Sequence, residues 1–227
     1  MPQYRDIVFT SGEYYHVFNR GVERRPIFTN DRDYKRALAT LTYYRSSSPP
    51  VRFSKFLTTP IDSKAELVKR LAASPLDVSL VSYCLMPNHF HFLVQQLSEN
   101  GVPKFVSKFS NSYTKYFNTK HSRVGPLLQG NFKAVLVESE EQLLHLSRYI
   151  HINPVVSSLV KRNELSTYRW SSFNEYLTHI SSGIVDPTSV MFRFPNSQKY
   201  LDFCQNHLNY AQELERIKHL TIDIDLS

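Results

Sequence analysis

The stretch MPNHFHFLV, residues 86–94, combines a turn signal with the composition of a β-strand. Because successive side chains of a strand point to opposite faces, His89 and His91 share one face, whereas Phe90 and Phe92 point to the core. Two neutral imidazoles on one face can bind a single divalent cation, and histidine is the commonest metal ligand. Histidine also occurs on the polar face of ordinary half-buried strands, so the pair alone is equally compatible with a structural role.

The segments around this stretch predict the rest of a sheet. Apolar residues 78–86 and 89–97 flank Pro87 and Asn88, a spacing typical of a tight antiparallel hairpin. The other expected elements are a strand over 13–20, a helix from Asn30, a helix from Val102, a strand over 132–137, and a helix that Ser139 caps and Pro154 ends. This order predicts an α+β protein with a ferredoxin-like (split βαβ) antiparallel sheet and helices on one face.

Two segments depart from this pattern. Residues 46–77 include the linker sequence SSSPP and a short helical stretch around Ser63–Ala73, and we interpret them as an insertion. Residues 178–227 contain a loop and then a helical segment from about 197 to 219. We therefore expect one domain over residues 1–177, which includes the insertion, and a helical C-terminal extension over 178–227.

The composition describes a folded, basic protein. The chain has 227 residues, of which 41% are hydrophobic and 13% aromatic, and its formal net charge is +7. An excess of Lys and Arg favours a polyanionic partner such as nucleic acid, although an ordinary basic protein shows the same balance. Cys84 and Cys204 form no metal-binding or disulfide pattern, and no apolar run is long enough for a membrane span. We expect a cytoplasmic protein with no membrane association.

The helix that begins at Ser139 contributes a second candidate group. Tyr149 and Asn153 are four residues apart and therefore lie on one side of the helix, although the following Pro154 biases Asn153 away from helical geometry. A phenol beside an amide oxygen provides a nucleophile and a metal ligand together. Tyr149 is also one of fourteen tyrosines, and by itself it fits a packing role better than a catalytic one.

Four motifs carry a resemblance to a known family. They are YYHVFNRG (14–21), LMPNHFHFLV (85–94), RYIHINPV (148–155) and RWSSFNEYL (169–177). In this order they resemble the single-tyrosine transposase superfamily (IS200-like), and within it the REP-associated tyrosine transposases, which are His-hydrophobic-His single-strand nucleases. The resemblance extends from about Gly12 to Leu177.

The resemblance implies a function and a site. Tyr149 would be the catalytic nucleophile, and His89, His91 and Asn153 would bind one divalent metal ion, Mg²⁺ or Mn²⁺. The protein would then be a metal-dependent transposase that cleaves and rejoins single-stranded DNA at hairpin-containing repeats through a covalent 5′-phosphotyrosine intermediate. It would act as a monomer or a homodimer.

Further basic or polar side chains are candidates for DNA contact: His16, Lys104, Lys108, Lys115, Lys133 and Arg148. Asn131, next to Phe132 and Lys133, stands where relatives commonly have arginine, which removes one expected basic contact.

Two other functions are compatible with the chain. One is a non-catalytic single-stranded nucleic-acid-binding module derived from a transposase, although binding alone has no use for a metal site. The other is a zinc-dependent hydrolase, which would lack the acidic general base usually found beside such ligands.

Overall fold

The computed structural model describes residues 7–178 and 182–208. The chain divides into two compact units. The first contains the residues up to Leu80 together with Leu85–Glu138, and the second contains Val81–Cys84 together with the residues from Ser139 onward. No helix within the two described ranges is both long and apolar enough to span a lipid bilayer.

A four-stranded antiparallel sheet organises the first unit. Its strands are β1 (Tyr14–Arg20), β2 (Val78–Met86), β3 (His89–Gln96) and β4 (Lys133–Val137). Their order across the sheet is β2-β3-β1-β4, and β1 runs antiparallel to both of its neighbours. This arrangement confirms the predicted α+β fold with a split βαβ sheet.

The helices of the first unit are α1 (Asp31–Tyr44), α2 (Phe53–Thr58), α3 (Ile61–Ala73) and α4 (Gly101–Lys120). Helix α4 packs on the sheet because the side chains of β3 alternate. Phe90 and Phe92 stack with their ring centroids 4.5 Å apart, and both rings contact Phe109 of α4 edge-on at 5.4 and 5.3 Å. The opposite face of β3 therefore carries His89 and His91.

The predicted insertion contains two helices. Helix α3 corresponds to the stretch predicted around Ser63–Ala73. Helix α2 was not predicted, because its six residues span less than two turns and give no readable apolar period. An isolated bridge between Ser46 and Leu76 closes the base of the insertion.

Helix α4 begins where the backbone comes very close to Asp77. A Cβ atom at Gly101 would overlap the carbonyl oxygen of Asp77, so this position requires glycine. Two side-chain hydrogen bonds stabilise the connection between β3 and α4. Ser98 Oγ donates to Asp77 Oδ1 at 2.6 Å, and Val102 N donates to Gln96 Oε1 at 3.1 Å.

The second unit is helical. Its helices are α5 (Glu140–Val156), α6 (Phe173–Thr178), α7 (Thr188–Met191) and α8 (Ser197–Gln205), with a 3₁₀ segment at Arg162–Thr167. Ser139 caps α5 as predicted, since its Oγ accepts a hydrogen bond from Gln142 N at 3.2 Å. The expected helical segment over 197–219 begins as α8, and residues 209–219 lie outside the described residues. A domain boundary between residues 177 and 178 stays a prediction.

The prediction that Pro154 ends the helix is wrong. Helix α5 continues to Val156, and Pro154 lies in its last turn. A proline there removes one backbone hydrogen bond and its ring crowds the carbonyl of Ile150, but only two helical residues follow it. The final turn is closed by Ser157 N, which donates to Asn153 O at 2.9 Å. Asn153 is consequently helical, and Tyr149 lies one turn before it on the same side.

We expect Gly101→Ala to destabilise the protein by about 2 kcal/mol, although alanine is the better helix former. The added methyl group would force the start of α4 away from the Asp77 carbonyl. Thermal unfolding should show a lower midpoint for this variant, whereas Ser107→Ala, at an exposed position of the same helix, should leave it unchanged or slightly higher. An unchanged midpoint for Gly101→Ala would contradict the proposed close approach.

Candidate active site

Strand β3 presents two histidines on the face of the sheet that α4 does not cover. The imidazole rings of His89 and His91 lie edge to face, with their centroids 5.0 Å apart. His89 is half-buried, and His91 is buried with 6% of its surface exposed. The two rings therefore form a compact pair at the start of β3.

A third histidine joins this pair from β1. In the sheet register Phe18 lies opposite His91, and His16 lies opposite Leu93, so both β1 residues share the face of the histidine pair. His16 Nε2 lies 2.9 Å from His91 Nδ1, which is a hydrogen bond in which one ring donates and the other accepts. Sequence reasoning placed His16 on β1 but did not foresee this contact, because it depends on the register between two strands distant in the chain.

Burial keeps the inner histidines neutral. It lowers the pKa of His16 to about 4. It also lowers the pKa of His91 well below its usual value, an effect that the nearby His16 and His89 reinforce. At neutral pH both rings are therefore uncharged, and a neutral imidazole is the form that binds a metal ion.

The turn between β2 and β3 orients His89. Asn88 Oδ1 lies 2.6 Å from His89 Nδ1, so this nitrogen carries the proton and donates it to the amide oxygen. Asn88 is itself held in place, because its Nδ2 donates to Arg24 O at 3.2 Å and its carbonyl accepts from Gly21 N at 2.8 Å. An Nδ1–H bond of this kind fixes the tautomer and orientation of metal-binding histidines.

Helix α5 of the second unit carries Tyr149 and Asn153. The side chain of Tyr149 is substantially exposed, with 42% of the residue surface accessible, whereas its neighbour Ile150 is fully buried. Asn153 is 5% exposed, and its Oδ1 accepts a hydrogen bond from Ser157 Oγ at 3.4 Å. The helix therefore keeps a phenol accessible while it holds an amide one turn away.

His151, between these two residues, has a structural role. Its Nδ1 lies 2.7 Å from Tyr200 Oη and its Nε2 lies 2.8 Å from Ser172 Oγ, and the ring is completely buried. The hydroxyl of Tyr200 also donates to Ser147 Oγ at 3.1 Å. This network holds α5 against the rest of the second unit.

Arg148 is a buried arginine. Only 8% of its surface is exposed, its Nη2 lies 2.9 Å from His145 Nδ1, and its guanidinium lies 4.2 Å from the ring centroid of Phe203. A DNA contact by Arg148 stays a prediction.

The candidate lysines lie on two sides of the first unit. Lys133 is exposed and opposite Phe18, so it shares the histidine face of the sheet. Lys104, Lys108 and Lys115 lie on α4, which covers the other face. Lys104 Nζ donates to Glu99 O at 2.9 Å, and Lys108 Nζ forms a 3.2 Å ion pair with Asp77.

Two other tyrosines in the sequence compete for the role of nucleophile, and both have engaged hydroxyl groups. Tyr113 is buried and donates to Ile27 O at 2.5 Å, and burial raises the pKa of its phenol far above the usual value. Tyr116 donates to Asp33 Oδ1 at 3.0 Å. Burial and the contact with Asp33 raise the pKa of Tyr116 to about 12. Neither phenol is suited to nucleophilic attack.

Histidine, cysteine and carboxylate side chains do not by themselves form a complete metal site. Within residues 7–178 and 182–208, no three of these side chains converge in a way that would hold a metal ion. A cation bound by the histidine pair would therefore need a ligand of another type, such as an amide or a phosphate oxygen.

Three solved structures align with parts of this chain. A REP-associated tyrosine transposase bound to a REP hairpin superposes with a TM-score of 0.52 at 18% identity, covering 82% of this chain and 90% of that chain. A Deinococcus radiodurans protein assigned as a transposase gives a TM-score of 0.35 at 15% identity, covering 66% of this chain and 95% of the other. The tRNA(His) guanylyltransferase of Saccharomyces cerevisiae gives 0.38 at 10% identity, covering 87% and 79%. Only the first comparison supports a shared fold.

Sequence comparison identifies the family. No curated protein matches the chain significantly. The family model described as "Transposase IS200 like" matches residues 9–153, which are more than half of the chain and include all four proposed active-site residues. The family expected from the sequence motifs is thereby confirmed. This chain belongs to the IS200-like transposase family.

Proposed function

We propose that this transposase cleaves and rejoins single-stranded DNA at hairpin-containing repeats through a covalent 5′-phosphotyrosine intermediate, and that it requires a divalent metal ion. The observation that carries the proposal is the pair of imidazoles, His89 and His91, on one face of the sheet, each oriented by a hydrogen bond at Nδ1. A REP hairpin is the ligand of the structurally similar transposase, which supports hairpin DNA as the substrate.

The donor set fits Mg²⁺ or Mn²⁺. We propose that His89 and His91 bind the ion through Nε2 and that the amide oxygen of Asn153 is a further ligand. Two imidazoles and an amide oxygen suit Mn²⁺ better than Mg²⁺, which prefers oxygen ligands. When bound, the ion would polarise a phosphodiester oxygen and so favour attack at phosphorus.

Tyr149 is the proposed nucleophile. Its side chain is substantially exposed and therefore accessible to a DNA strand, whereas Tyr113 is buried. The phenolic oxygen would form a bond to phosphorus while the bond from phosphorus to the 3′ oxygen breaks, and the phenolic proton would pass to solvent or to the departing 3′ oxygen. The products are a 5′-phosphotyrosine and a 3′-hydroxyl. Because the number of phosphate ester bonds is conserved, the reverse attack by a 3′-hydroxyl rejoins a strand without an external energy source.

The remaining side chains would bind and position. We propose that His16 orients His91 through their hydrogen bond and that Lys133, on the same face of the sheet, contacts the DNA backbone. A direct contact between His16 and DNA stays a prediction, as does a cytoplasmic location of the protein.

We expect Tyr149→Phe to abolish the covalent adduct with a labelled single-stranded DNA hairpin and to leave binding unchanged, because only the attacking oxygen is lost. Denaturing gel electrophoresis detects the adduct, and fluorescence anisotropy measures binding. Tyr168→Phe removes a hydroxyl from the same unit and should form the adduct normally. Adduct formation by Tyr149→Phe would exclude this residue as the nucleophile. Binding by the unmodified protein without any adduct would favour the non-catalytic module.

We expect the double substitution His89→Ala and His91→Ala to reduce Mn²⁺-stimulated cleavage about 100-fold or more, because both imidazole ligands are lost. His121→Ala, which removes a histidine at the end of α4, is the matched control. Circular dichroism verifies the fold. If loss of the buried His91 impairs folding, the single variant His89→Ala replaces the double variant in the same cleavage assay. A double variant that still responds to Mn²⁺ would refute the ligand assignment.

A further inference from the structure

A large groove lies on the helical side of the first unit, between α1, α2 and α4. It encloses about 830 Å³. Its lining residues share a basic or polar character and are Arg32, Arg36, Tyr44, Arg52, Ser54, Lys108, Asn111, Ser112, Lys115, Tyr116, Thr119 and Lys120. Because α4 covers the sheet face that carries Phe90 and Phe92, this groove is separate from the histidine face of the sheet.

The lining of the groove is strongly cationic. It contains six Arg or Lys residues and no Asp or Glu. Two of the six charges are neutralised by buried carboxylates beneath the surface: Lys108 pairs with Asp77 at 3.2 Å, and Lys120 pairs with Asp33 at 2.5 Å. The other four cations make no ion pair with the described residues, so a net positive charge of about four faces the groove.

Arg36 is held in place without having its hydrogen-bonding capacity satisfied. Its guanidinium lies 4.6 Å from the ring centroid of Phe53 and 5.0 Å from that of Tyr116, which restrains the side chain between two aromatic rings. Its Nε is buried and has no hydrogen-bond partner among the described residues. A buried donor without a partner is costly, and an anionic ligand in the groove would reduce that cost for the guanidinium.

The insertion forms one wall of the groove. It contributes Arg52 and Ser54, and its position is determined by Phe53, whose ring lies 4.9 Å from that of Tyr43 at the end of α1. Tyr43 Oη donates to Val51 O at 2.6 Å, which ties the start of α2 to α1. These contacts hold the insertion against α1, so that Arg52 lines the same groove as the basic residues of α1 and α4.

The charges are spread over a length that suits a chain of phosphates. On α1, Arg32 and Arg36 are one turn apart, which corresponds to about 6 Å along the helix, and Lys115 of α4 and Arg52 of the insertion add positive charges from two further elements. A single phosphate group needs only one or two of these side chains. A nucleic-acid backbone, which repeats its charge at short intervals, can engage all of them and release several counterions.

We propose that this groove binds the phosphate backbone of a DNA segment that lies outside the active site, and that the insertion exists to complete this second DNA-binding surface. The identity of the nucleic acid as single-stranded hairpin DNA rests on the proposed function, whereas the polyanion-binding groove does not. DNA on the groove holds the substrate on the helical side of the first unit while a different nucleotide reaches the histidine face.

The test compares two triple variants that each lose three positive charges. The groove variant combines Arg32→Gln, Arg52→Gln and Lys115→Gln. The control variant combines Lys35→Gln, Lys69→Gln and Arg70→Gln, which are exposed residues of α1 and α3 outside the groove. Fluorescence anisotropy measures the affinity for a labelled single-stranded DNA that carries one hairpin, over a range of salt concentrations.

We expect the groove variant to bind about 10-fold more weakly at low salt. The slope of log K against log salt should decrease by about 2, which is the effect of three lost phosphate contacts on a single strand. The control variant should match the unmodified protein. A charge-conserving variant, with Arg32→Lys, Arg52→Lys and Lys115→Arg, should restore most of the affinity, which distinguishes an electrostatic contact from a folding defect. Equal affinities and slopes for the groove and control variants would overturn the proposal.

Adduct formation separates this proposal from the proposed function. At saturating protein, the groove variant should still form the covalent adduct, because Tyr149 and the histidine pair are intact. If the unmodified protein forms no adduct but the groove variant alone loses affinity, the proposed chemistry fails and the groove stands. If the adduct forms and the two triple variants bind alike, the groove proposal fails and the chemistry stands.

Discussion

The alternation of side chains along β3 is the constraint on which the first unit depends. Phe90 and Phe92 pack against Phe109 of α4. Because side chains alternate along the strand, His89 and His91 lie on the opposite face of the sheet. A shift of the strand by one residue would bury the imidazoles beneath the helix and expose the phenylalanines. The strand register that buries Phe90 and Phe92 therefore also determines the face on which His89 and His91 lie. Any change of register that moved the histidine pair would also disrupt the hydrophobic core.

Burial is the main influence on the pKa values of the two inner histidines. The low pKa values of His16 and His91 arise chiefly from desolvation, so both rings are neutral at physiological pH and make a hydrogen bond to each other instead of repelling. The helical side of the first unit differs, because charged groups and not neutral ones determine its electrostatics. There, Asp33 and Asp77 are buried beneath Lys120 and Lys108, and Arg32, Arg36, Arg52 and Lys115 line the groove with no ion pair to any residue that the structure describes.

Much of the fold was predictable because its signals are local. Alternating side chains predicted β1, apolar runs on either side of a turn signal predicted β2 and β3, and the spacing of apolar residues predicted α1 and α4. The prediction failed where a local rule met tertiary context. Pro154 was expected to end α5, but the helix continues for two residues beyond it, and Ser157 N closes the final turn by donating to Asn153 O. Helix α2 was not predicted, since it depends on the contact of Phe53 with Tyr43 and not on its own short sequence.

The sequence by itself determined the family, the antiparallel sheet and the side-by-side placement of His89 and His91, because each follows from the order and spacing of residues along the chain. Only the tertiary structure decided that His16 bonds to His91, that Asn88 orients His89, and that residues of α1, α4 and the insertion form one basic groove. These contacts join residues that strand register and helix packing bring together, or depend on the exact conformation of a turn. Side-chain periodicity carries no information about either.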